Sequence, residues 1–152
     1  DIVDELIDQQ AELKECGISG NYTKPENLHL TLAFIGEYGN SDEVIDVIDS
    51  VPFRPIPIKF NGLELFRDMY FARIADNPGL NSYVRRLRRA LAQNNIPFDK
   101  KKFRPHITLL RRATFRGNDA PKEIKISETM ATKISLMRSE RGKNGMIYTE
   151  LN

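Results

Sequence analysis

Lys24-Pro25-Glu26-Asn27-Leu28-His29-Leu30-Thr31-Leu32-Ala33-Phe34-Ile35-Gly36 and Phe103-Arg104-Pro105-His106-Ile107-Thr108-Leu109-Leu110-Arg111 are the two stretches on which the reading of this chain turns. They hold the only two histidines in 152 residues, and each histidine heads the same pattern of His, aliphatic, Thr, aliphatic. With 7 threonines and 34 Val, Ile and Leu residues in the chain, both histidines would do so by chance about once in a few hundred thousand sequences. The repeat at half the chain length predicts two similar halves.

The period of a β-strand is two residues, so His and Thr of each motif share one face while the aliphatic residues anchor the other in a core. Leu28 to Ile35 reads as a strand stopped by Gly36, with Leu28, Leu30, Leu32 and Phe34 on the core face. Pro105 to Leu110 reads as a second strand. Each offers an imidazole beside a hydroxyl, and two such strands converging would place two imidazoles and two hydroxyls around one small polar group. That set suits a phosphate: each Thr hydroxyl donates to a nonbridging oxygen, and imidazole, ordinarily titrating near 6.5, serves as acid or base near neutrality. Two histidines without a nearby cluster of Cys, Asp or Glu make a poor metal site. There is no Gly-x-Ser-x-Gly elbow, and no glycine-rich loop of the kind that cradles a triphosphate.

Outward from the motifs, helical stripes run over Ile2 to Cys16, ended by Gly17, and over Leu80, Tyr83, Val84, Leu87 and Leu91, with Arg85, Arg88 and Arg89 projecting away. Ser41 is positioned as an N-cap for a short helix carrying Val44, Ile45, Val47 and Ile48. Ile56 to Phe60 has the alternation of an edge strand, because Pro57 donates no ladder hydrogen bond. Leu63 to Phe66 and Met69 to Ile74 form strands turning near Arg67-Asp68, and Thr132 to Met137 is expected to pair with Met146 to Leu151 around Gly142 and Asn144-Gly145. Helices and strands interleave with hairpins in the second half, which makes the fold class α+β.

Composition sets outer limits. Hydrophobic residues at 40%, charged residues at 29% and no apolar run of membrane-spanning length describe a folded, non-membrane chain. The single Cys16 excludes an intramolecular disulfide, and the acidic start at Asp1, Asp4, Glu5 and Asp8 lacks the basic region of a signal peptide, so a cytoplasmic setting is expected. The formal net charge of +2 hides a polarised distribution: Asp1 to Val51 nets −10, and Arg85 to Arg112 nets +9.

The two extended motifs, with Ser139, Gly145, Tyr148 and Leu151 near the end, resemble the 2H phosphoesterase superfamily, and specifically its LigT-type (ThpR) RNA 2′,3′-cyclic phosphodiesterases. The resemblance covers most of the chain and implies one domain over residues 1–152, built as two pseudo-symmetric lobes of antiparallel sheet flanked by helices, with the motifs in a central groove. Members usually open with a strand ahead of the first helix, whereas this sequence starts inside that helix.

The resemblance also implies the chemistry. One imidazole would activate water against the cyclic phosphorus while the other protonates the departing O3′, leaving a 2′-phosphate. By analogy His106 takes the proton and His29 gives one, Thr31 and Thr108 bind the phosphate oxygens, and neither metal nor other cofactor is required. Ring opening by a 5′-hydroxyl, a minor 2′-5′ RNA ligase activity, would use the same groups. Arg111 resembles a phosphate-side basic residue, but strict alternation puts it on the face opposite His106 and Thr108 unless the strand ends or bulges first. The implied partner is RNA ending in a cyclic phosphate or a related cyclic nucleotide, with no membrane and no obligate protein partner. The basic Arg85 to Arg112 segment would draw the RNA backbone in, and Tyr22, Phe66 and Tyr70 are candidates to stack on bases. Small cyclic nucleotides, 2′-5′ oligoadenylates or noncatalytic RNA binding remain the alternatives.

Overall fold

The computed structural model describes residues 2–115 and 121–152. Its contacts divide the chain into two compact units, one made of Asp1–Thr31, Pro57–Asp76 and Arg104–Met130 and the other of Leu32–Ile56, Asn77–Phe103 and Ala131–Asn152. All four residues of the His-x-Thr motifs fall in the first.

That unit is a four-stranded antiparallel sheet backed by a helix. Helix α1 (Ile2–Glu15) turns its Leu6, Gln9, Gln10 and Leu13 inward, one face at helical spacing, and Gly17 takes a positive φ just past its end. The strands are β1 (Ile18–Tyr22), β3 (Phe60–Phe66), β4 (Met69–Ile74) and β5 (His106–Phe115), in the order β1-β5-β4-β3. Leu6, Leu13, Ile18, Leu63, Tyr70, Ala72, Ile107, Leu109 and Leu110 fill the core between helix and sheet. Strand β1 has no counterpart in the sequence reading, because Ser19-Gly20-Asn21 carries none of the β-branched or aromatic residues by which a strand is recognised.

In the second unit, α2 (Ser41–Ser50) packs on α3 (Pro78–Gln93), whose Leu80, Tyr83, Val84, Leu87 and Leu91 are all buried as their spacing predicts. The α2 cap lies one residue earlier than expected: Asn40, not Ser41, accepts from the Glu43 amide through its side chain. Strand β2 (Ile56–Ile58) buries both isoleucines and exposes Pro57, and it pairs with β6 (Thr129–Ala131); Pro57, Ile58, Thr129 and Met130 belong to the first unit. The late hairpin is β7 (Met137–Gly142) with β8 (Gly145–Glu150), its turn helped by the positive φ of Gly145. Residues 132–136, expected to be strand, are instead the irregular lead into β7.

Strand β5 is bent by a bulge. Tyr70 faces Leu110 and Phe71 faces Thr108, so Leu109 has no partner on β4, and Leu109 and Leu110 are consecutive residues at 0% exposure. The carbonyl of Leu109 accepts instead from the Thr23 amide and from Gln10 Nε2, both at 2.9 Å. Gln10 also reaches the Thr23 carbonyl at 2.9 Å, so a buried glutamine holds the irregular backbone in place.

Between Arg111 and Thr114, where the β1–β5 register shifts again, β1 passes so close that Gly20 is the one residue type accommodated. A Cβ there would lie 2.8 Å from the carbonyl oxygens of both Arg111 and Arg112 and 2.5 Å from Leu110 Cδ1, at a φ of +156°. Gly20→Ala should therefore lower stability by about 1–2 kcal/mol, through overlap with backbone that cannot yield without moving β5. Chemical denaturation checks this, and an unchanged midpoint would show that the two strands part at no cost.

Candidate active site

The second motif occupies the first turns of β5, and the first follows a single 3-10 turn, Pro25–Asn27. The expected strand from Leu28 to Ile35 does not form. One antiparallel bridge joins Leu30 to Ile107, and the chain beyond it is irregular, with Phe34 59% exposed where a core position was expected. Its carbonyls are claimed elsewhere: Leu32 O accepts from Arg88 Nη2 at 3.4 Å, and Phe34 O from the Asp99 amide at 2.7 Å. Those partners satisfy the backbone that a neighbouring strand would otherwise pair.

The Leu30–Ile107 bridge nevertheless does what a longer ladder would have done for the site. Leu30 and Ile107 pack toward the core. In an antiparallel pair the residues flanking a bridge lie crosswise, so His29 is set on the Thr108 side and Thr31 on the His106 side. The four motif side chains thus leave one face of the backbone together.

Both imidazoles are oriented in the same way. His29 Nδ1 lies 2.6 Å from the carbonyl oxygen of Asn27, and His106 Nδ1 lies 2.7 Å from that of Arg104. A carbonyl oxygen accepts and never donates, so Nδ1 carries the proton in each ring and Nε2 carries the lone pair of the neutral form. In each case the acceptor is two residues earlier, with Leu28 or Pro105 between. The same tautomer is enforced by two differently shaped stretches of chain.

Neighbouring strands complete the face. Phe71 and Arg73 on β4 stand opposite Thr108 and His106 in register. The Phe71 ring packs on the His106 imidazole with centroids 4.7 Å apart and planes at 45°. Arg73 is held by the Asn61 carbonyl through Nε at 3.0 Å and lies 3.9 Å from Glu64. Sequence reading missed both residues. Alternation in Met-Tyr-Phe-Ala-Arg-Ile separates Phe71 and Arg73 from the buried Tyr70, Ala72 and Ile74, but only the register with β5 says which face they share.

The bulge settles Arg111. Before it, His106 and Thr108 face away from the core; after it Leu110 is in the core and Arg111 is exposed, on the face of the motif residues. Its Nη1 lies 3.0 Å from Met69 Sδ. The aromatics fare less well. Tyr70 is in the core with its hydroxyl on the Pro121 carbonyl, and Tyr22 is half-buried, donating to Ile18 O at 2.7 Å with Lys14 Nζ 4.7 Å from its ring. Neither presents a face to a base. Phe66 is exposed and carries Arg67 at 5.4 Å from its ring.

Among the described residues no three His, Cys, Asp or Glu side chains are grouped to hold a metal ion, and no helix is long and apolar enough to cross a membrane.

Residues 4–143 match the family model described as the 2′-5′ RNA ligase superfamily. The chain belongs to that superfamily. A superfamily relative, the RNA 2′,3′-cyclic phosphodiesterase of Aquifex aeolicus (strain VF5), is 30% identical over 97% of this chain and 86% of its own length. Among solved structures, TT0787 of Thermus thermophilus superposes with a TM-score of 0.82 over 99% of this chain and 89% of its own, at 24% identity. E. coli LigT complexed with 3′-AMP superposes at 0.78, over 99% of this chain and 88% of its own, at 25% identity. The α+β, LigT-like fold expected from the two motifs is the superfamily fold observed, and the LigT-type resemblance holds across nearly the whole chain.

Proposed function

We infer that the protein is an RNA 2′,3′-cyclic phosphodiesterase that opens a terminal cyclic phosphate to a 2′-phosphomonoester. The observation that carries the reading is the pair of His-x-Thr motifs emerging on one backbone face, with each imidazole fixed through Nδ1 to a carbonyl two residues earlier. Two rings with the same tautomer but opposite protonation form an acid and a base.

In this mechanism a water oxygen attacks phosphorus in line with the P–O3′ bond. Nε2 of neutral His106 takes the water proton as the new P–O bond forms. Nε2–H of protonated His29 delivers its proton to O3′ as the P–O3′ bond breaks, and the phosphate stays on O2′. The hydroxyls of Thr31 and Thr108 donate to the nonbridging oxygens, where charge builds in the transition state, and the Arg111 guanidinium offsets that charge from the same face. Phe71 limits rotation of the base by packing on its ring. Run backward with a 5′-hydroxyl in place of water, the same groups form a 2′-5′ linkage, which is the minor ligase activity of this reading. A cytoplasmic setting fits the exposed, unpaired thiol of Cys16.

The test is incubation of an RNA ending in 2′,3′-cyclic phosphate with the protein in EDTA. The expected product is the 2′-phosphomonoester at an undiminished rate. A 3′-phosphate product would reverse the assigned leaving group, and a rate abolished by EDTA would remove the two-histidine mechanism.

A further inference from the structure

The basic segment from Arg85 to Arg112 is not one surface. Arg111 belongs to the motif face. Arg86 lies 5.6 Å from the Tyr83 ring and donates to Pro52 O at 3.3 Å. Arg88, expected to project into solvent, is a pin instead. It sits 5.7 Å from the Phe98 ring and 5.9 Å from the Phe103 ring, and Nη1 donates to Lys101 O at 2.8 Å while Nη2 reaches Leu32 O. With Asp99 N on Phe34 O, these contacts strap residues 98–103 along the flank of α3.

The strap brings unused charge together. Arg85 and Arg89 are one helical turn apart on the exposed side of α3, next to the pinned loop that carries Lys100, Lys101 and Lys102, all exposed. Asp99 sits in the same loop and is taken up by Lys101, through its amide at 3.0 Å and its ammonium at 4.0 Å. No described carboxylate pairs with Arg85, Arg89, Lys100 or Lys102. Four cations held together with no described counterion are repelled by one another, and an anionic polymer relieves that repulsion by giving up its own condensed cations. Lys102 is four residues before His106, so the chain between them spans at most about 14 Å.

We propose that Arg85 and Arg89, with Lys100 and Lys102 on the strap that Arg88 pins beside them, form a phosphate-binding surface for the RNA nucleotides preceding the cyclic end. The proposal rests on the hydrolase reading above and makes the enzyme selective for polymeric RNA over a cyclic mononucleotide, which is too short to engage both places.

The experiment compares kcat/KM for a nucleoside 2′,3′-cyclic monophosphate and for an oligoribonucleotide of about ten residues with the same end. Three proteins are used: wild type, Arg85→Glu/Arg89→Glu, and Arg54→Glu/Lys143→Glu, the last having the same net charge placed elsewhere. The ratio of oligonucleotide to mononucleotide kcat/KM should fall about tenfold in the α3 pair alone, with a salt dependence shallower by roughly 1.4 logarithmic units for two lost contacts. An unchanged ratio, or an equal fall in the control pair, overturns the surface while leaving the hydrolase intact. If wild type opens neither substrate, the hydrolase reading fails and the surface is judged by fluorescence anisotropy with the uncyclised oligonucleotide: weaker binding by the α3 pair alone upholds it, and equal binding by all three proteins removes it.

Discussion

His106→Ala and His29→Ala should each lower kcat for the cyclic phosphate by about 10²–10⁴-fold, with KM changed far less. The split follows from the roles assigned above. An imidazole that moves a proton acts on the transition state, whereas the hydroxyls of Thr31 and Thr108 hold the phosphate in both states. The double variant should be little worse than either single one, because a base without its acid leaves the same slow step. Neither substitution should disturb folding, since each ring bonds through Nδ1 to a backbone carbonyl two residues earlier and both motifs keep their aliphatic anchors. A rate profile for wild type should be bell-shaped, requiring one ring neutral and one protonated, and each single variant should lose one limb. An alanine variant retaining more than about a tenth of the wild-type rate, with a normal unfolding curve, would take that residue out of the proton transfer.

The second large effect lies at alkaline pH and belongs to the core. Tyr70 is 1% exposed, and burial pushes its hydroxyl up to about 12 from an ordinary value of 10. Ionisation is thus harder in the fold than in the unfolded chain. The stability tied to this difference is fully present below pH 10 and is lost as pH climbs from 10 toward 12, in total about 2–3 kcal/mol. Tyr70→Phe should forfeit about 1 kcal/mol at neutral pH with its hydrogen bond to Pro121 O, and should then show a shallower alkaline loss than wild type. Burial raises Tyr22 and Tyr83 as well, so both proteins keep some alkaline slope, and the difference between their curves isolates Tyr70. Denaturation midpoints between pH 8 and 12 measure it, and parallel curves would mean that the Tyr70 phenol is equally ionisable in both states.

How much of this was legible depends on what kind of signal each residue sends. The stripe of α3 and the Met69–Ile74 strand were readable because burial there follows a strict period, and the motifs were readable because the chain says the same thing twice. Leu28 to Ile35 has the composition of a strand and is not one, since its carbonyls go to Arg88 and Asp99; composition reports what a segment can bury, not which groups claim its backbone. Tyr70 had the right chemistry for stacking and the wrong parity on β4. Gln9 and Gln10 were invisible for the opposite reason: polar residues at helix positions facing the core give no hydrophobic signal, though Gln10 holds the bulge and the Gln9 Oε1 accepts the Lys125 amide at 3.0 Å. Arg88 was read as one more solvated arginine because its aromatic neighbours lie ten or more residues away in the chain.

The extra residue at Leu109 makes β5 a strand with two reading frames. His106 and Thr108 before it and Arg111 just after it leave the same face, so the motif is spelled His, two, Thr, three, Arg, and the step of three is legal only through the bulge. Straightening β5 at its present length would therefore do more than smooth a strand. It would restore perfect alternation, send a guanidinium into the hydrocarbon side of the sheet and turn the Leu110 side chain toward the face of the motif residues, which makes the kink in this segment as much a part of its inheritance as the letters in it.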